Sequence, residues 1–275
     1  MNAFKQQCID LRRQDYTLPE IVHITGRPKT SVHFHIQDLP LSFEKQREIR
    51  QSRRESILRV VEKRRVRSAE AFRRFAKWDI NTVCAISHFL FDGEIRHGCI
   101  YNNRNVALIE RVRHSMSKMY DFEPKFSKNQ LTGVSRISYY NSELGKYVKT
   151  KAERLLRDIA VLPRNLKREF VQSFFDDEGC MDFRLAENIR RVRGYQKNVR
   201  ILYLVQKLLT DLGINSNIKA PNEVVITGKE NLMKFQKEIN FSHGVRINGN
   251  RPNSIWKKHL EKREILRRAI KSYKT

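Results

Sequence analysis

The chain has 275 residues, of which 40% are hydrophobic, so it is long enough to fold into one or two domains with a buried core. Lysine and arginine outnumber aspartate and glutamate by 55 to 30, and the resulting net charge of +25 favours a polyanionic partner. No apolar run approaches the roughly 18 residues of a membrane span, and the first residues lack the apolar core of a signal peptide, so we expect an intracellular protein (cytoplasm, nucleoid or organelle) with no membrane partner.

Residues 1–43 are predicted to form a small all-α domain. Thr17, followed by Glu20, is a capping-box pattern that starts a short helix, and Gly26 ends that helix. The next helix starts near Pro28. This arrangement is typical of a DNA-binding helix-turn-helix. The alternative is a three-helix bundle that binds no DNA. The candidate DNA contacts are the residues exposed early in the second helix: Lys29, Thr30, Ser31 and His33.

Residues 44–78 are predicted to be a basic helical linker. The run from 44 to 77 contains no proline or glycine, and it carries 13 basic residues against 5 acidic ones. Its apolar stripe is thin, as in a helix exposed to solvent. A solvated charged face is the ordinary interpretation of such a run, and contact with phosphates is the alternative.

From residue 79 onward, helices alternate with pairs of short strands. The order α-β-β-α-β-β-α over residues 79–162 recurs over residues 163–252, and residues 253–275 are predicted to form a final basic helix. An internal duplication is the simplest explanation of this order. The predicted fold class is therefore α+β, with two repeats preceded by the small all-α domain.

Each repeat begins with an apolar helix that ends in an acid followed by glycine. The first reads AISHFLFDG and ends at Asp92, and the second reads FVQSFFDDEG and ends at Glu178. Glycine permits a left-handed exit that ends a helix, so each acid projects from a helix end. If the two helices pack side by side, the acids converge. The small residues Ser87 and Ser173, each six positions before the glycine, are the candidate helix-packing positions.

Two neighbouring carboxylates repel each other unless a divalent cation compensates them. Mg²⁺ prefers few carboxylates together with water and phosphate oxygens. At such a site Mg²⁺ can activate water for phosphodiester hydrolysis. Asp92 and Glu178 are therefore candidate catalytic residues and metal ligands, with Mg²⁺ as the expected cofactor. The alternative for each acid is an ordinary surface residue at a helix end.

The motif FVQSFFDDEG resembles the LAGLIDADG motif of homing endonucleases. The downstream stretches ILYLVQKLLTDLGINSNIK and VVITGKENLMKFQKEINFSHGVR are similar to the second half of that family, and AISHFLFDGEI is similar to its first motif. The resemblance covers roughly residues 80 to 255 and is to single-chain members with two repeats. It implies two pseudo-symmetric αββαββα repeats that form a saddle on double-stranded DNA, in a monomer, with Asp92 and Glu178 as metal ligands.

The resemblance also implies roles for basic residues. The family's basic residue that supports the attacking water or the scissile phosphate matches Arg246 best. The family reads DNA with strand side chains, and an ordinary exposed arginine is the alternative for each candidate. These candidates are Arg96, Arg136, Arg184, Arg190, Arg191 and Arg193.

The leading hypothesis is a site-specific, Mg²⁺-dependent DNA endonuclease of the intron-homing type, joined to a helix-turn-helix. Two alternatives remain open. One is a DNA-binding transcriptional regulator that keeps the fold without catalysis. The other is an RNA maturase that binds structured RNA and assists intron splicing.

Overall fold

The computed structural model describes residues 3–249 and 255–273, apart from the side chains of Arg65 and Arg67. The chain divides into a compact unit at Met1–Val66 and a second at Arg67–Thr275. Within the described residues, no helix has the length and apolar character needed to cross a membrane.

The first unit contains three short helices around a small core: α1 (Ala3–Arg13), α2 (Leu18–Thr25) and α3 (Lys29–Ile36). The start of α2 agrees with the capping-box prediction, because the Glu20 carboxylate accepts a hydrogen bond from the Thr17 backbone N–H at 2.6 Å. The helix ends at Gly26, which is left-handed with φ 63°. The buried residues that hold the three helices together are Cys8, Ile21, Val32 and Ile36.

The long basic helix α4 spans Phe43–Glu70 and ends earlier than the sequence predicts. Phe72 instead forms an isolated β-bridge with Tyr120, and its side chain is buried in the core of the second unit. Phe75 and Trp78 pack against the same core. Burial of aromatic surface thus outweighs the helical preference of the residues after Glu70.

The first repeat contains two pairs of strands, each pair preceded by a helix: α5 (Ile80–Phe91), β1 (Gly93–Ile95), β2 (Cys99–Asn103), α6 (Val106–Ser117), β3 (Lys125–Lys128), β4 (Ser135–Tyr139) and α7 (Ser142–Asp158). The four strands form an antiparallel sheet in the order β1-β2-β4-β3. A short 3₁₀ turn, Ile159–Val161, leads into the second repeat.

The second repeat has the same order: α8 (Arg164–Glu178), β5 (Gly179–Arg184), β6 (Ile189–Tyr195), α9 (Val199–Asp211), β7 (Asn217–Lys219), β8 (Glu223–Thr227) and α10 (Lys229–Glu238). Its antiparallel sheet has the strand order β5-β6-β8-β7, which is the order of the first sheet with each strand replaced by its counterpart. The predicted α+β class is confirmed, and the matching sheets agree with the duplication.

The predicted C-terminal helix is shorter than expected. Helix α11 spans only Lys262–Lys271, whereas the sequence predicts a helix over 253–275. Residues 250–254 and 274–275 lie outside the described part of the chain. The core of the second unit includes both repeats, and α5 packs directly against α8. Helix α5 is mostly apolar and buries nine of its 12 residues, whereas α8 is amphipathic and buries eight of its 15.

Candidate active site

Asp92 and Glu178 lie at the C-terminal ends of the two packed helices. Asp92 is the cap residue after α5, and Glu178 is the last residue of α8. The predicted left-handed exit is wrong, because Gly179 is extended (φ −98°) and Gly93 does not have a positive φ. The glycines serve a different purpose. A Cβ atom at either position would collide with the backbone of the preceding helical turn, so only glycine lets a strand leave the helix this closely.

The two acids share one electrostatic environment. Burial raises the pKa of Glu178 to about 7, with further contributions from the charges of Asp92 and Asp177. Burial and the charge of Asp177 likewise raise the pKa of Asp92 to about 6. A divalent cation would compensate this unfavourable concentration of negative charge. Within the described residues, no group of three or more histidine, cysteine or acidic side chains is arranged to hold a metal. The pair nevertheless fits Mg²⁺, which takes few carboxylates and completes its shell with water and phosphate oxygens.

Asp92 and Glu178 differ in how their carboxylates are held. The Asn103 side-chain amide, at the end of β2, donates to Asp92 Oδ2 at 3.2 Å. The same amide donates to the Tyr101 hydroxyl at 3.2 Å. Across the described ranges, the Glu178 carboxylate accepts no side-chain hydrogen bond. Asp92 is therefore oriented by its own repeat, whereas Glu178 is placed by its helix alone.

A third acid, Asp177, lies at the seam where α5 packs against α8, but neighbouring side chains already bind both of its carboxylate oxygens. His88 Nδ1 lies 2.7 Å from Asp177 Oδ2, and both side chains are completely buried. The Tyr101 hydroxyl donates to Asp177 Oδ1 at 2.5 Å. Burial lowers the pKa of His88, but the Asp177 carboxylate more than offsets this and holds it well above its ordinary value. Asp177 is thus an ion-paired residue, and Asp92 and Glu178 remain the available ligands.

The equivalent contact on the other side of the seam is made of aromatic rings. Counted back from the two glycines, His88 corresponds to Phe174, and Asp177 corresponds to Phe91. The rings of Phe91 and Phe174 lie 5.3 Å apart in an edge-to-face arrangement. The two helices therefore meet twice through the same pair of positions. This symmetry supports the registration that makes Asp92 the counterpart of Glu178. Ser87 and Ser173 are fully buried, as candidate helix-packing positions require.

Arg111 of α6 holds the second repeat against the first. Its guanidinium donates to both oxygens of Glu169 at 2.6 and 2.7 Å, and it lies 3.4 Å from Asp176 Oδ2. Asp176 also accepts hydrogen bonds from the backbone N–H and the hydroxyl of Ser242, at 2.9 and 2.5 Å. These contacts bind the carboxylates of Glu169 and Asp176. Among the acids of α8 in the described structure, Glu178 is the one without an ion pair or a side-chain hydrogen bond.

Lys262 is a site residue that the sequence analysis missed. Its ammonium donates to the Asp176 and Phe175 carbonyl oxygens at 2.7 and 3.3 Å, at the C-terminal end of α8. Basic side chains near a helix C-terminus can bond its last carbonyl groups in this way. Burial lowers the pKa of Lys262, and its charge in turn lowers the pKa of both Asp92 and Glu178. No local pattern marks it, because it is one lysine of a basic tail and lies 84 residues beyond Glu178 (262 − 178).

Arg246 occupies a different environment. It is exposed and forms an isolated β-bridge with Glu261, not part of a regular strand. Its backbone N–H donates to Asn105 Oδ1 at 2.8 Å. Its side chain lines a surface cavity together with His243 and His259. The catalytic role of Arg246 stays a prediction, and the buried cation that acts on both acids is Lys262.

Three of the strand arginines lie on the second sheet among acids. Arg184 and Arg191 pair with Asp182 at 3.1 and 2.8 Å, and Arg193 pairs with Glu223. Alternation along β5 and β6 places these side chains on the less buried face of the sheet. A phosphate that binds these arginines must therefore displace the carboxylates of Asp182 and Glu223 or share the arginines with them.

The remaining arginines are scattered. Arg190 lies on the opposite face of β6, where it donates to Ser272 Oγ at 2.7 Å and covers the Tyr273 ring. In the first repeat, exposed Arg96 pairs with Glu94 at 3.2 Å. Arg136 forms a longer hydrogen bond to a neutral group, since it donates to Ser138 Oγ at 3.3 Å. In the first unit, the candidates at the start of α3 are all exposed: Lys29, Thr30, Ser31 and His33.

Comparison with known proteins identifies one domain directly. A family model described as a LAGLIDADG-like domain matches residues 165–240. No curated protein matches the chain.

Three solved structures are similar to parts of this chain. Mesophilic variants of the homing endonuclease I-DmoI are 16% identical, with 60% of this chain and 93% of that chain covered and a TM-score of 0.43. The complex of I-DmoI with DNA and Ca is 14% identical, with coverages of 60% and 93% and a TM-score of 0.42. Full-length DUF199/WhiA from Thermatoga maritima is 14% identical, with coverages of 74% and 64% and a TM-score of 0.45. Residues 165–240 are thus a LAGLIDADG-like domain, and the two sheets of matching strand order are consistent with a single chain that carries two repeats.

Proposed function

We propose that this chain is a divalent-metal-dependent endonuclease that cuts both strands of a specific DNA duplex. The observation that carries the proposal is the convergence of Asp92 and Glu178 at the α5–α8 seam, where the charge of Asp92 raises the pKa of Glu178. The net charge of +25 supports a polyanionic substrate. Because one chain supplies both acids, the proposed enzyme acts as a monomer.

In this proposal Asp92 and Glu178 would hold Mg²⁺, an ion that takes few carboxylates together with water and phosphate oxygens. When bound, the metal supplies activation of water and stabilisation of the leaving oxygen. The protein's own groups prepare the site. Asn103 orients the Asp92 carboxylate, and Lys262 favours the ionised form of both acids. His88 holds Asp177 in an ion pair and so keeps it apart from the ligand pair.

The test is cleavage of a library of duplexes in the presence of Mg²⁺, with the new DNA ends identified by sequencing. Glu178→Gln and Asp92→Asn should each lower the cleavage rate by at least about a hundredfold, because each removes a carboxylate ligand. Glu153→Gln is the control, since it neutralises an exposed acid on α7. A wild-type protein that binds duplex tightly with Mg²⁺ and leaves both strands intact would overturn the proposal.

The second candidate is a DNA-binding regulator without cleavage. The observation that favours it is the α2–α3 pair, a short helix and a glycine turn before a second helix with an exposed polar start. This candidate predicts a footprint that is independent of divalent metal and unaffected by Glu178→Gln. Tighter binding to structured RNA than to duplex DNA would instead favour the maturase alternative.

A further inference from the structure

Four arginines of helix α4 lie on one face, and most of its acids lie on another. One set of side chains recurs at alternating spacings of three and four residues, which places its members along a single helical face: Arg47, Arg50, Arg54, Ile57, Val61 and Arg64. We call this set the arginine face. Four of the five acids recur at spacings of four and seven residues, which places them along a different face: Glu44, Glu48, Glu55 and Glu62.

The arginine face is uncovered and its charges are not neutralised within the chain. Every side chain of the set is exposed, and Ile57 and Val61 expose 63% and 51% of their surface. Arg50 donates to the Gln46 carbonyl oxygen one turn earlier. Arg47, Arg54 and Arg64 form no ion pair with any residue that the structure describes. Burial therefore does not explain why these side chains share a face.

We infer that the arginine face of α4 binds the phosphate backbone of duplex DNA, an inference that rests on the proposed function. Arg47 and Arg64 are 17 residues apart (64 − 47), or about 26 Å along a helix that rises about 1.5 Å per residue. DNA presents one phosphate about every 3.4 Å on each strand, so the face spans about seven or eight base pairs. Guanidinium groups bind phosphate oxygens through paired hydrogen bonds.

Two other partners fit the arginine face less well. A second copy of α4 packed face to face would bring arginine against arginine, and a coiled-coil seam needs apolar residues at these spacings. Only Ile57 and Val61 meet that need within the set. An anionic membrane needs apolar and basic residues on opposite sides of a helix, whereas Ile57 and Val61 lie among the arginines of this face.

The test compares two variants of the full chain that remove equal charge from different faces of α4. R50Q/R54Q removes two cations of the arginine face, and R59Q/K63Q removes two cations that lie outside it. Affinity for a duplex of random sequence is measured by fluorescence anisotropy in EDTA, from about 50 to about 200 mM salt. Loss of two phosphate contacts should make the negative slope of log affinity against log salt shallower by about 2, whereas the control should keep the wild-type slope. Circular dichroism checks that both variants keep the helix.

The outcomes separate this inference from the proposed function. Equal slopes for the two variants would overturn the role of the arginine face, and Mg²⁺-dependent cleavage by the wild type would still stand. A wild type that binds no duplex would overturn both. Binding to vesicles of anionic lipid, or a dimer in sedimentation that R50Q/R54Q dissociates, would overturn the inference and assign the face to a membrane or to a second copy.

Discussion

The seam between α5 and α8 is formed twice through equivalent positions, with charge on one side and aromatic rings on the other. His88 and Asp177 make the first contact at 2.7 Å, and Phe174 and Phe91 make the second with ring centres 5.3 Å apart. The two contacts thus use equivalent positions but different residue types. The difference matters for the site, because the charge of Asp177 raises the pKa of both Asp92 and Glu178, an effect that the aromatic pair does not have. The contact that contains Asp177 therefore changes the pKa of Asp92 and Glu178 as well as packing the two helices together.

Replacing the ionic contact by the aromatic one should give the largest effect on stability. His88→Phe leaves Asp177 buried without its cation, and such a loss costs about 3–5 kcal/mol. The double variant H88F/D177F copies the other side of the seam, so it should recover most of that stability. Urea unfolding measures both. The matched control is Phe174→Leu, expected to cost about 1 kcal/mol as a hydrophobic exchange. A single H88F variant as stable as the wild type would show that the pair contributes little.

The pH dependence of stability should report on the two acids. Their pKa values in the folded protein, about 6 for Asp92 and about 7 for Glu178, lie above the ordinary values of 3.8 and 4.5. The folded state therefore binds more protons than the unfolded state in this window, so stability falls as the pH rises from about 4 to about 7.

Thermal unfolding in EDTA should show this fall. The variant D92N/E178Q should flatten it, and Mg²⁺ should restore stability at the upper end of the range. A fall of the same size in the double variant would assign the titration to other groups.

Lys262, at the C-terminal end of α8, partly compensates the charges of Asp92 and Glu178, and its removal should weaken metal binding. Lys262→Met withdraws a charge that lowers the pKa of both acids, so protons compete better with the metal. We expect affinity for Mg²⁺ to fall about tenfold at pH 7 and to recover at higher pH. Calorimetric titration across pH measures this. Arg246→Gln is the control, and a larger loss of cleavage in that variant than in Lys262→Met would favour Arg246 as the catalytic cation.

The sequence predicted what local patterns determine and missed what distant contacts determine. The order of elements and the positions of Asp92 and Glu178 follow from periodicity and glycine placement over a few residues. The ion pair of His88 and Asp177 joins residues 89 positions apart, and no local signal connects them. Even the glycines were predicted for the wrong reason. Their backbone is not left-handed, and it is the close return of a strand against its own helix that excludes a side chain.

The two sheets give the smallest expected effects, and their arginines differ in their neighbours. Arg193 is paired with Glu223, whereas Arg136 donates to Ser138 at 3.3 Å. If duplex DNA lies on both sheets, Arg136→Gln should make the negative slope of log affinity against log salt shallower by about 0.9, the value of one phosphate contact. Arg193→Gln should change that slope less. Glu223→Gln frees Arg193 and should raise affinity. Equal effects of the two arginine variants in anisotropy titrations would mean that DNA displaces the carboxylates of the second sheet, and the contrast between the repeats would then be confined to the helix seam.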